Sequence, residues 1–320
     1  MHKRRLGTSE IEVTPVAMGC WPIAGVTSLD VNDQDSLDTL RAAFDNGVTF
    51  FDTAYSYGIN GESESLIAKA LSPVRQQITL ATKCGIHRDQ TGQTIDNSPS
   101  RLRAQVDTSL RRLETDVIDL LYLHAPDPNY DLSETAVVMR SFLEQGKARS
   151  VGVSNFSDSQ LVTFNTVCPI TAVQPAFNML QRGIEQDVVP WCLQHSVSVV
   201  VYWPLMKGLL AGKLPRDHQF DIRDGRAKYP MFQGEEWHKN QDFVGHLRDF
   251  AESIHRTVAQ VVINWTIQRP GITVALCGAK RAYQIEETAK SMQFELTAEE
   301  LETIDGLLVA RGTPITRPAV

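Results

Sequence analysis

Four ionisable side chains stand at or near the ends of apolar runs in the sequence. Asp52 follows Thr49–Phe51, and Tyr57 comes five residues after it. Lys83 and His124 end two further apolar runs. A tyrosine is a weak acid with a pKa near ~10, and a nearby ammonium stabilises its phenolate and lowers that pKa. We therefore expect Lys83 to lower the pKa of Tyr57.

Together these residues could move a proton to or from one oxygen atom. A buried lysine needs a partner, and Asp52 could keep Lys83 ionised and oriented. His124 could hydrogen-bond the reacting oxygen or help to protonate it. Such a group could protonate a carbonyl oxygen while a hydride reaches the carbon, or run the reverse reaction. Each residue alone has an ordinary interpretation as a cap, a turn residue or a solvated charge, but the combination favours catalysis.

These residues need a scaffold that brings distant segments together, and the sequence predicts one. Eight short apolar runs alternate with helical patterns. The predicted strands are Val16–Cys20, Thr49–Thr53, Ile78–Thr82, Ile118–His124, Ser150–Ser154, Ala172–Pro175, Val197–Tyr202 and Thr273–Cys277. The predicted helices are Ser36–Phe44, Ser65–Leu71, Ser100–Leu113, Ser133–Gln145, Asp158–Val167, Glu185–His195, Val258–Gln268 and Ala282–Lys290. Eight β-then-α units in one domain, residues 1–320, favour an α/β fold, the closed (β/α)8 TIM barrel.

Three further segments complete the predicted architecture. Arg5–Val13 resembles a β-hairpin that could plug the barrel bottom, and Met206–Asp242 is a long loop after the seventh strand. Thr297–Val309 begins with a capping-box pattern and predicts one extra C-terminal helix. The main rival is a doubly wound dinucleotide fold, which would need G-x-G-x-x-G after the first strand; Met18–Ile23 does not supply it.

Polar residues follow nearly every predicted strand. A (β/α)8 barrel carries its chemistry at the C-terminal ends of its strands. From the second strand to the eighth, the strand ends carry Asp52, Lys83, His124, Ser154 with Asn155, Gln174, Tyr202, and Gly278 with Lys280 and Arg281. This order around one rim predicts a single site at the barrel mouth.

The composition argues against several function classes. The net charge of −7, without a block dense in Lys and Arg, argues against nucleic-acid binding. No apolar run approaches the ~18 residues of a membrane helix, and the basic start lacks the apolar core of a signal peptide. Five widely spaced cysteines fit reduced thiols, and the histidines lack the spacing of a zinc site. We expect a cytoplasmic protein with no metal and no membrane or nucleic-acid partner.

Several ordered motifs resemble those of the aldo-keto reductases, with some likeness to the potassium-channel β-subunit branch and its bacterial relatives. The resemblance runs from Leu6 to about Thr288. The motifs are FDTAYSYG (51–58), ESE (62–64), ATK (81–83), DLLYLH (119–124), GKAR (146–149), VGVSN (151–155), Gln174 and Pro204-Leu205. The resemblance implies a (β/α)8 barrel that binds a nicotinamide cofactor without a Rossmann fingerprint. It also implies a catalytic tetrad of Asp52, Tyr57, Lys83 and His124, with Tyr57 as the general acid.

The same resemblance implies a set of cofactor-binding residues. Ser154, Asn155 and Gln174 correspond to residues that hold the carboxamide, and Tyr202 to the aromatic ring that stacks on the nicotinamide. Along the diphosphate and the adenosine the corresponding residues are Trp203, Pro204, Leu205, Lys213, Arg223, Gly278, Ala279, Lys280, Arg281, Gln284 and Glu287. Cations at the start of the last barrel helix favour NADP(H) over NAD(H). Thr288 stands where the family commonly has Asn.

The expected activity is NADPH-dependent reduction of an aldehyde, ketone or sugar carbonyl. Trp21, Tyr55, Tyr57, His124 and parts of Met206–Trp237 are the expected substrate contacts. Two alternatives remain open: an NAD(P)+-dependent sugar dehydrogenase on the same fold, and a cofactor-sensing partner subunit with weak catalysis. The sequence names a small-molecule substrate class, but neither the individual substrate nor the oligomeric state.

Overall fold

The computed structural model describes residues 2–26 and 28–317. Over these residues the chain forms twelve strands: β1 (Arg4–Arg5), β2 (Glu12–Val13), β3 (Val16–Gly19), β4 (Phe50–Asp52), β5 (Thr79–Cys84), β6 (Ile86–Asp89), β7 (Gly92–Ile95), β8 (Leu120–Leu123), β9 (Val151–Ser154), β10 (Ala172–Gln174), β11 (Ser198–Val201) and β12 (Ile272–Gly278). Eight of them run parallel and close into a barrel in the order β3-β4-β5-β8-β9-β10-β11-β12. The predicted (β/α)8 TIM barrel is confirmed.

Helices connect and surround these strands. In the described ranges they are α1 (Asp33–Asp45), α2 (Glu62–Leu71), α3 (Pro99–Arg112), α4 (Leu132–Glu144), α5 (Asp158–Val167), α6 (Val188–Gln194), α7 (Gly234–Ser253), α8 (Val258–Gln268), α9 (Ala282–Ala289) and α10 (Ala298–Arg311). Ser157, Thr257 and Thr297 begin α5, α8 and α10 with complete capping boxes, which satisfy amide groups that a helix leaves unpaired. The extra C-terminal helix is therefore confirmed.

The N-terminal hairpin β1–β2 closes the bottom of the barrel. Leu6 and Val13 are fully buried and join Phe50 and Tyr122 in the apolar cluster inside the strands. The amide of Gly7 donates to Ser198 Oγ at 2.8 Å. Gly7 has φ +52°, and a Cβ there would lie 2.6 Å from the Thr171 carbonyl oxygen, so this close approach requires glycine.

The loop after β11 is shorter than the predicted loop Met206–Asp242. Its irregular part contains 3-10 turns and ends at Gln233, because the twenty-residue helix α7 begins at Gly234 rather than after Asp242. A second departure lies after β5, where β6 and β7 form an antiparallel hairpin that the sequence pattern did not predict.

No helix within residues 2–26 and 28–317 combines the length and the apolar character that crossing a bilayer requires.

Candidate active site

Three neighbouring strands bring the four predicted catalytic residues to one rim of the barrel. Asp52 is the last residue of β4, Lys83 lies near the end of β5, and His124 directly follows β8. Tyr57 lies in the loop between β4 and α2, where its carbonyl accepts from the Ser63 amide at 3.2 Å. Because parallel strands end on the same side, adjacent strand ends place these side chains together.

The Lys83 ammonium is the centre of the site. It is 1% exposed, and it donates to Asp52 Oδ1 at 2.5 Å, to the Thr53 carbonyl at 2.8 Å and to the Tyr57 hydroxyl at 3.2 Å. An ammonium has three donors and no acceptor, so each of its hydrogens has a partner here. The bond from Lys83 therefore occupies a lone pair of the Tyr57 oxygen and leaves the phenolic hydrogen free for another acceptor.

Charge and burial compete at Lys83 and Tyr57. Burial has the largest single effect and lowers the pKa of Lys83, but the attraction and the hydrogen bonds of Asp52 and Tyr57 together outweigh it and leave that pKa raised. Burial raises the pKa of Tyr57, and the opposing attraction of Lys83 is smaller. The net pKa of Tyr57 therefore lies above its ordinary value. Lys83 does lower this pKa, but the loss of water around the phenol has the larger effect.

His124 is held neutral at the same site. Burial lowers the pKa of its imidazole well below the ordinary value, and the positive charges of Lys83 and Arg88 add to the shift. Its ring lies 5.9 Å from the ring of Tyr57, edge to face. Its Nδ1 is buried and has no hydrogen-bond partner among the residues described. A neutral imidazole with an unpaired polar atom is suited to bind a further polar group.

The four residues expected to hold the carboxamide and the nicotinamide ring also meet, at the ends of β9, β10 and β11. Ser154 Oγ donates to the Gln174 carbonyl at 2.8 Å, and Asn155 Nδ2 donates to the His124 carbonyl at 3.0 Å. The Tyr202 hydroxyl donates to Asn155 Oδ1 at 2.6 Å.

A hydrogen bond joins this amide-rich group to the ionisable one. Gln174 Nε2 donates to Asp52 Oδ2 at 2.8 Å. Because Lys83 binds the other oxygen of Asp52, both carboxylate oxygens are fixed.

The loop after β11 begins with Trp203, whose backbone has φ +60°. The Met206 amide donates to the Trp203 carbonyl at 2.8 Å, which closes a tight turn through Pro204 and Leu205. Lys207 Nζ lies 4.1 Å from the centroid of the Trp203 ring. Burial lowers the pKa of Lys207 to about 8, with contributions from Arg317 and Arg226.

Lys207 was not among the predicted site residues. Its basic side chain, two positions after Leu205, was the one feature of the sequence that could have suggested a role at the site. Spacing along the chain could not show that Lys207 folds back onto Trp203.

Most of the residues expected to bind the adenosine end of the cofactor lie near the start of α9. There Lys280 and Arg281 donate hydrogen bonds to other groups of the protein. Gln284 Oε1 accepts from the amides of Lys280 and Arg281, at 2.9 Å and 3.2 Å. Lys280 Nζ donates to the Leu29 carbonyl at 3.0 Å. Arg281 Nη2 donates to the Asp30 carbonyl at 2.7 Å.

Gly278 and Ala279 lead into this turn at the end of β12. A Cβ on Gly278 would lie 3.0 Å from Pro22 Cγ, so the approach of Pro22 leaves little room for a side chain. Lys213 reaches across from the β11 loop to pair with Glu287 on α9. Arg223 is well exposed and pairs with Asp221, two residues before it, at 2.7 Å. The structure therefore holds its cation within the β11 loop.

The expected substrate residues separate into two environments. Trp21 lies beside the ionisable group, with its ring 4.9 Å from that of Tyr57. Tyr55 packs instead under Arg112, whose guanidinium carbon lies 4.7 Å from its ring centroid. Arg88, on the unpredicted strand β6, reaches the site by stacking on Trp21 at 5.1 Å.

Among the described residues, no group of three or more His, Cys, Asp or Glu side chains is arranged to hold a metal ion.

Comparison with known proteins identifies the family. The sequence profile of the Aldo/keto reductase family matches residues 15–309. The chain belongs to the aldo/keto reductase family. Aldo-keto reductase YhdN of Bacillus subtilis is 33% identical over 311 residues, which cover 96% of this chain and 94% of that protein. The NADH-specific methylglyoxal reductase of Escherichia coli is 28% identical, over 93% of this chain and 95% of its own.

Solved structures of the family share the fold closely. The glycerol dehydrogenase AKR11B4 from Gluconobacter oxydans is 32% identical with a TM-score of 0.91, covering 99% of this chain and 98% of that one. The aldo-keto reductase AKR11C1 from Bacillus halodurans, in its holo form, is 26% identical with a TM-score of 0.79 over 96% of each chain. Family membership makes this chain an NAD(P)H-dependent oxidoreductase that acts on carbonyl or sugar substrates.

Proposed function

We propose that this chain reduces an aldehyde, ketone or sugar carbonyl to an alcohol with NADPH, and that Tyr57 is its general acid. The observation that carries the proposal is the position of Lys83 Nζ, which binds both Asp52 Oδ1 and the Tyr57 hydroxyl. That bond leaves the phenolic hydrogen free, beside a neutral His124 and the ring of Trp21.

The proposed chemistry divides the proton and the hydride between different groups. A nicotinamide cofactor supplies the hydride when it is bound. Tyr57 donates its phenolic proton to the carbonyl oxygen, and Lys83 stabilises the phenolate that remains. Asp52 keeps Lys83 charged, and neutral His124 hydrogen-bonds the same oxygen. Water returns a proton to Tyr57 before the next turnover.

The residues at the barrel mouth fit the nicotinamide end of such a cofactor. The buried Nδ1 of His124 has no hydrogen-bond partner within residues 2–26 and 28–317, which supports the proposal that it binds a further polar group. Asn155 and Gln174 carry the amide groups, and Ser154 the hydroxyl, that can hold a carboxamide. Tyr202 offers an aromatic face to the nicotinamide ring.

The rest of the proposed cofactor set lies along the β11 loop and the start of α9. Trp203, Pro204 and Leu205 would line the diphosphate. The adenosine end would be held by Lys213, Arg223, Gly278, Ala279, Lys280, Arg281, Gln284 and Glu287.

The preference for NADPH over NADH is the finer part of the proposal. Arg281 is the residue directly before α9 and Lys280 precedes it, so a helix N-terminus and two cations there both favour a phosphate. Their contacts with the Leu29 and Asp30 carbonyls would have to be exchanged for a phosphate. A relative in Escherichia coli is named as NADH-specific, so the two cofactors have to be compared directly.

A second candidate function uses the same site residues but runs the reaction in the opposite direction, as a dehydrogenase. The similarity to a glycerol dehydrogenase favours oxidation of a polyol or sugar by NAD(P)+. The same residues serve this reaction, because the Tyr57 phenolate can accept the proton that the alcohol loses.

One experiment tests both candidates. Cofactor absorbance at 340 nm is followed with a panel of aldehydes, ketones and aldoses plus NADPH, and again with NADH. Polyols and sugars with NADP+ or NAD+ form the reverse panel. We expect the highest kcat/KM for a carbonyl with NADPH; a preference for alcohol oxidation would favour the dehydrogenase, and inactivity in both panels would overturn both.

A further inference from the structure

Arg88 is a charged group at the active site to which the proposed mechanism assigns no role. It lies on β6, in the hairpin that follows the strand bearing Lys83. Its guanidinium stacks 5.1 Å from the ring centroid of Trp21, and that ring meets the Tyr57 ring at 4.9 Å. Its charge also contributes to the lowered pKa of His124. Arg88 therefore borders the same space as Tyr57 and His124.

The orientation of the Arg88 guanidinium is fixed by the fold. Its Nε donates to the Ser56 carbonyl at 3.3 Å, next to Tyr57 in the loop after β4. Its Nη2 donates to the side chain of Gln93 on the partner strand β7. The face of the Trp21 ring packs against the guanidinium on a third side and restricts its movement. A guanidinium held in this way loses little further side-chain entropy when it binds a ligand.

The charge of Arg88 has no counterion in the part of the chain that the structure describes. No carboxylate within residues 2–26 and 28–317 forms an ion pair with it, and the hydrogens on its Nη1 have no acceptor in that part of the chain. Burial lowers its pKa, and no acidic group opposes that effect. Asp52 is already committed to Lys83. The space in front of Tyr57 is therefore positively charged on the Arg88 side.

We infer that Arg88 binds an anionic group of the substrate, so that the preferred substrates are carbonyl compounds that carry a carboxylate or a phosphate. A guanidinium with free donors recognises either oxyanion by charge-assisted hydrogen bonds. Binding there would place the carbonyl of a short substrate near Tyr57. This inference rests on the proposed function, since it specifies the substrate class of that same site.

Matched substrate pairs test the inference. The first pair is 4-oxobutanoate and butanal, and the second is D-glyceraldehyde 3-phosphate and D-glyceraldehyde. For the wild type we expect kcat/KM to be about tenfold or more higher for one or both anionic members, mainly through KM. The pair that shows the difference tells whether the anion is a carboxylate or a phosphate. Equal values in both pairs would overturn the inference and leave the proposed function standing.

Two variants assign the effect to Arg88. Arg88→Gln should lose about tenfold or more in kcat/KM for the anionic member and change the neutral member by less than about threefold. Arg88→Lys should recover part of the loss, because it restores the charge without the planar fork. The control is Arg101→Gln, which removes the same charge from an exposed residue of α3 that pairs with Asp96. An equal loss in the control would show that net charge, not Arg88, sets the preference.

A binding measurement keeps the test independent of turnover. The melting temperature is measured with and without malonate or inorganic phosphate, for the wild type, Arg88→Gln and Arg101→Gln. At least one anion should stabilise the wild type and the control but not Arg88→Gln. Equal shifts in all three proteins would overturn the inference even if no carbonyl in the panel were reduced.

Discussion

At the scale of single residues, Lys83 determines what Tyr57 can do. Its three hydrogens are committed to Asp52, Thr53 and Tyr57, so it stabilises a phenolate but cannot itself protonate a substrate without breaking one of these bonds. Asp52 in turn is fixed by Lys83 on one oxygen and by Gln174 on the other. These bonds fix the side chains around Tyr57, as the proposed role of its hydroxyl as proton donor requires.

The pH dependence of reduction follows from the pKa shifts of Tyr57 and His124. In the proposed mechanism reduction needs protonated Tyr57, and burial raises its pKa, so activity should fall only above pH ~10. His124 has a pKa well below its ordinary value of about 6.5, so it should remain neutral throughout the neutral range. We expect kcat/KM for reduction to be flat from about pH 7 to about pH 9. An inflection near pH ~6.5 that disappears in His124→Gln would contradict this account of His124.

Sequence analysis identified the four ionisable residues because each stands at or just after an apolar strand. It anticipated that Lys83 lowers the pKa of Tyr57 but not that burial raises it more, because desolvation depends on how closely Trp21 and His124 approach the phenol. Arg88 and Lys207 were missed for a related reason. Their positions depend on a hairpin and a turn that fold back onto aromatic rings, and spacing along the chain does not show this.

At the scale of elements, the close packing of β8, β9 and β10 supports the site from below. Tyr122 on β8 is fully buried inside the barrel, with its ring centroid 5.9 Å from Lys83 Nζ. Gly152 lies opposite it on β9, and a Cβ there would come within 2.5 Å of Tyr122 Cε1 and 2.7 Å of the Ala172 carbonyl oxygen. The lack of a side chain at Gly152 therefore leaves the space that the Tyr122 ring fills.

Gly152→Ala should disturb this layer. The methyl group would force Tyr122 or the β9–β10 pair to move, at a cost of about 1–3 kcal/mol in the free energy of unfolding. Gly245→Ala is the control: it lies within α7 with no atom within 4 Å of the added Cβ, so it should stabilise by up to about 1 kcal/mol. Urea denaturation of both variants measures the difference. Equal stability of the two would show that the barrel interior can relax around Gly152.

The strands could be predicted because those of a parallel barrel are covered on both faces and read as apolar runs. β4, β8 and β9 are buried throughout. The hairpin β6–β7 escaped prediction because most of its residues are polar and partly or fully exposed. The start of α7 escaped for a similar reason, since Gly234 and a run of polar residues precede its apolar face.

At the scale of the whole molecule, the C-terminal segment connects α7 to the barrel mouth. Arg311 on α10 pairs with Glu236 and donates to Asn240 Oδ1 at 2.7 Å. The Ile315 amide donates to Glu236 Oε1 at 2.8 Å. The chain then carries Arg317 to 4.4 Å from the Tyr229 ring centroid, beside Lys207. One buried carboxylate thus holds the segment that reaches the β11 loop.

Glu236→Gln should release this segment. The Arg311 side chain is 2% exposed and would be left as a buried charge without its counterion, which costs about 3 kcal/mol of unfolding free energy. The neighbouring Glu235→Gln is the control, because its pair with Lys239 is exposed and contributes about 0.5 kcal/mol or less. Guanidinium denaturation compares the two variants. If they lose equal stability, the Arg311–Glu236 pair does not anchor the C-terminal segment.

The central claim is that the fold brings Asp52, Lys83, His124 and Tyr57 together so that Tyr57 delivers the proton. Tyr57→Phe removes only the hydroxyl, which is the acceptor of one Lys83 bond and the source of that proton. The direct test is NADPH oxidation by this variant with the best carbonyl substrate, alongside a fluorescence titration of NADPH binding. We predict a fall in kcat of about 10²–10⁴-fold with the Kd for NADPH changed by less than about threefold. Turnover close to that of the wild type would contradict the assignment of Tyr57 as the general acid.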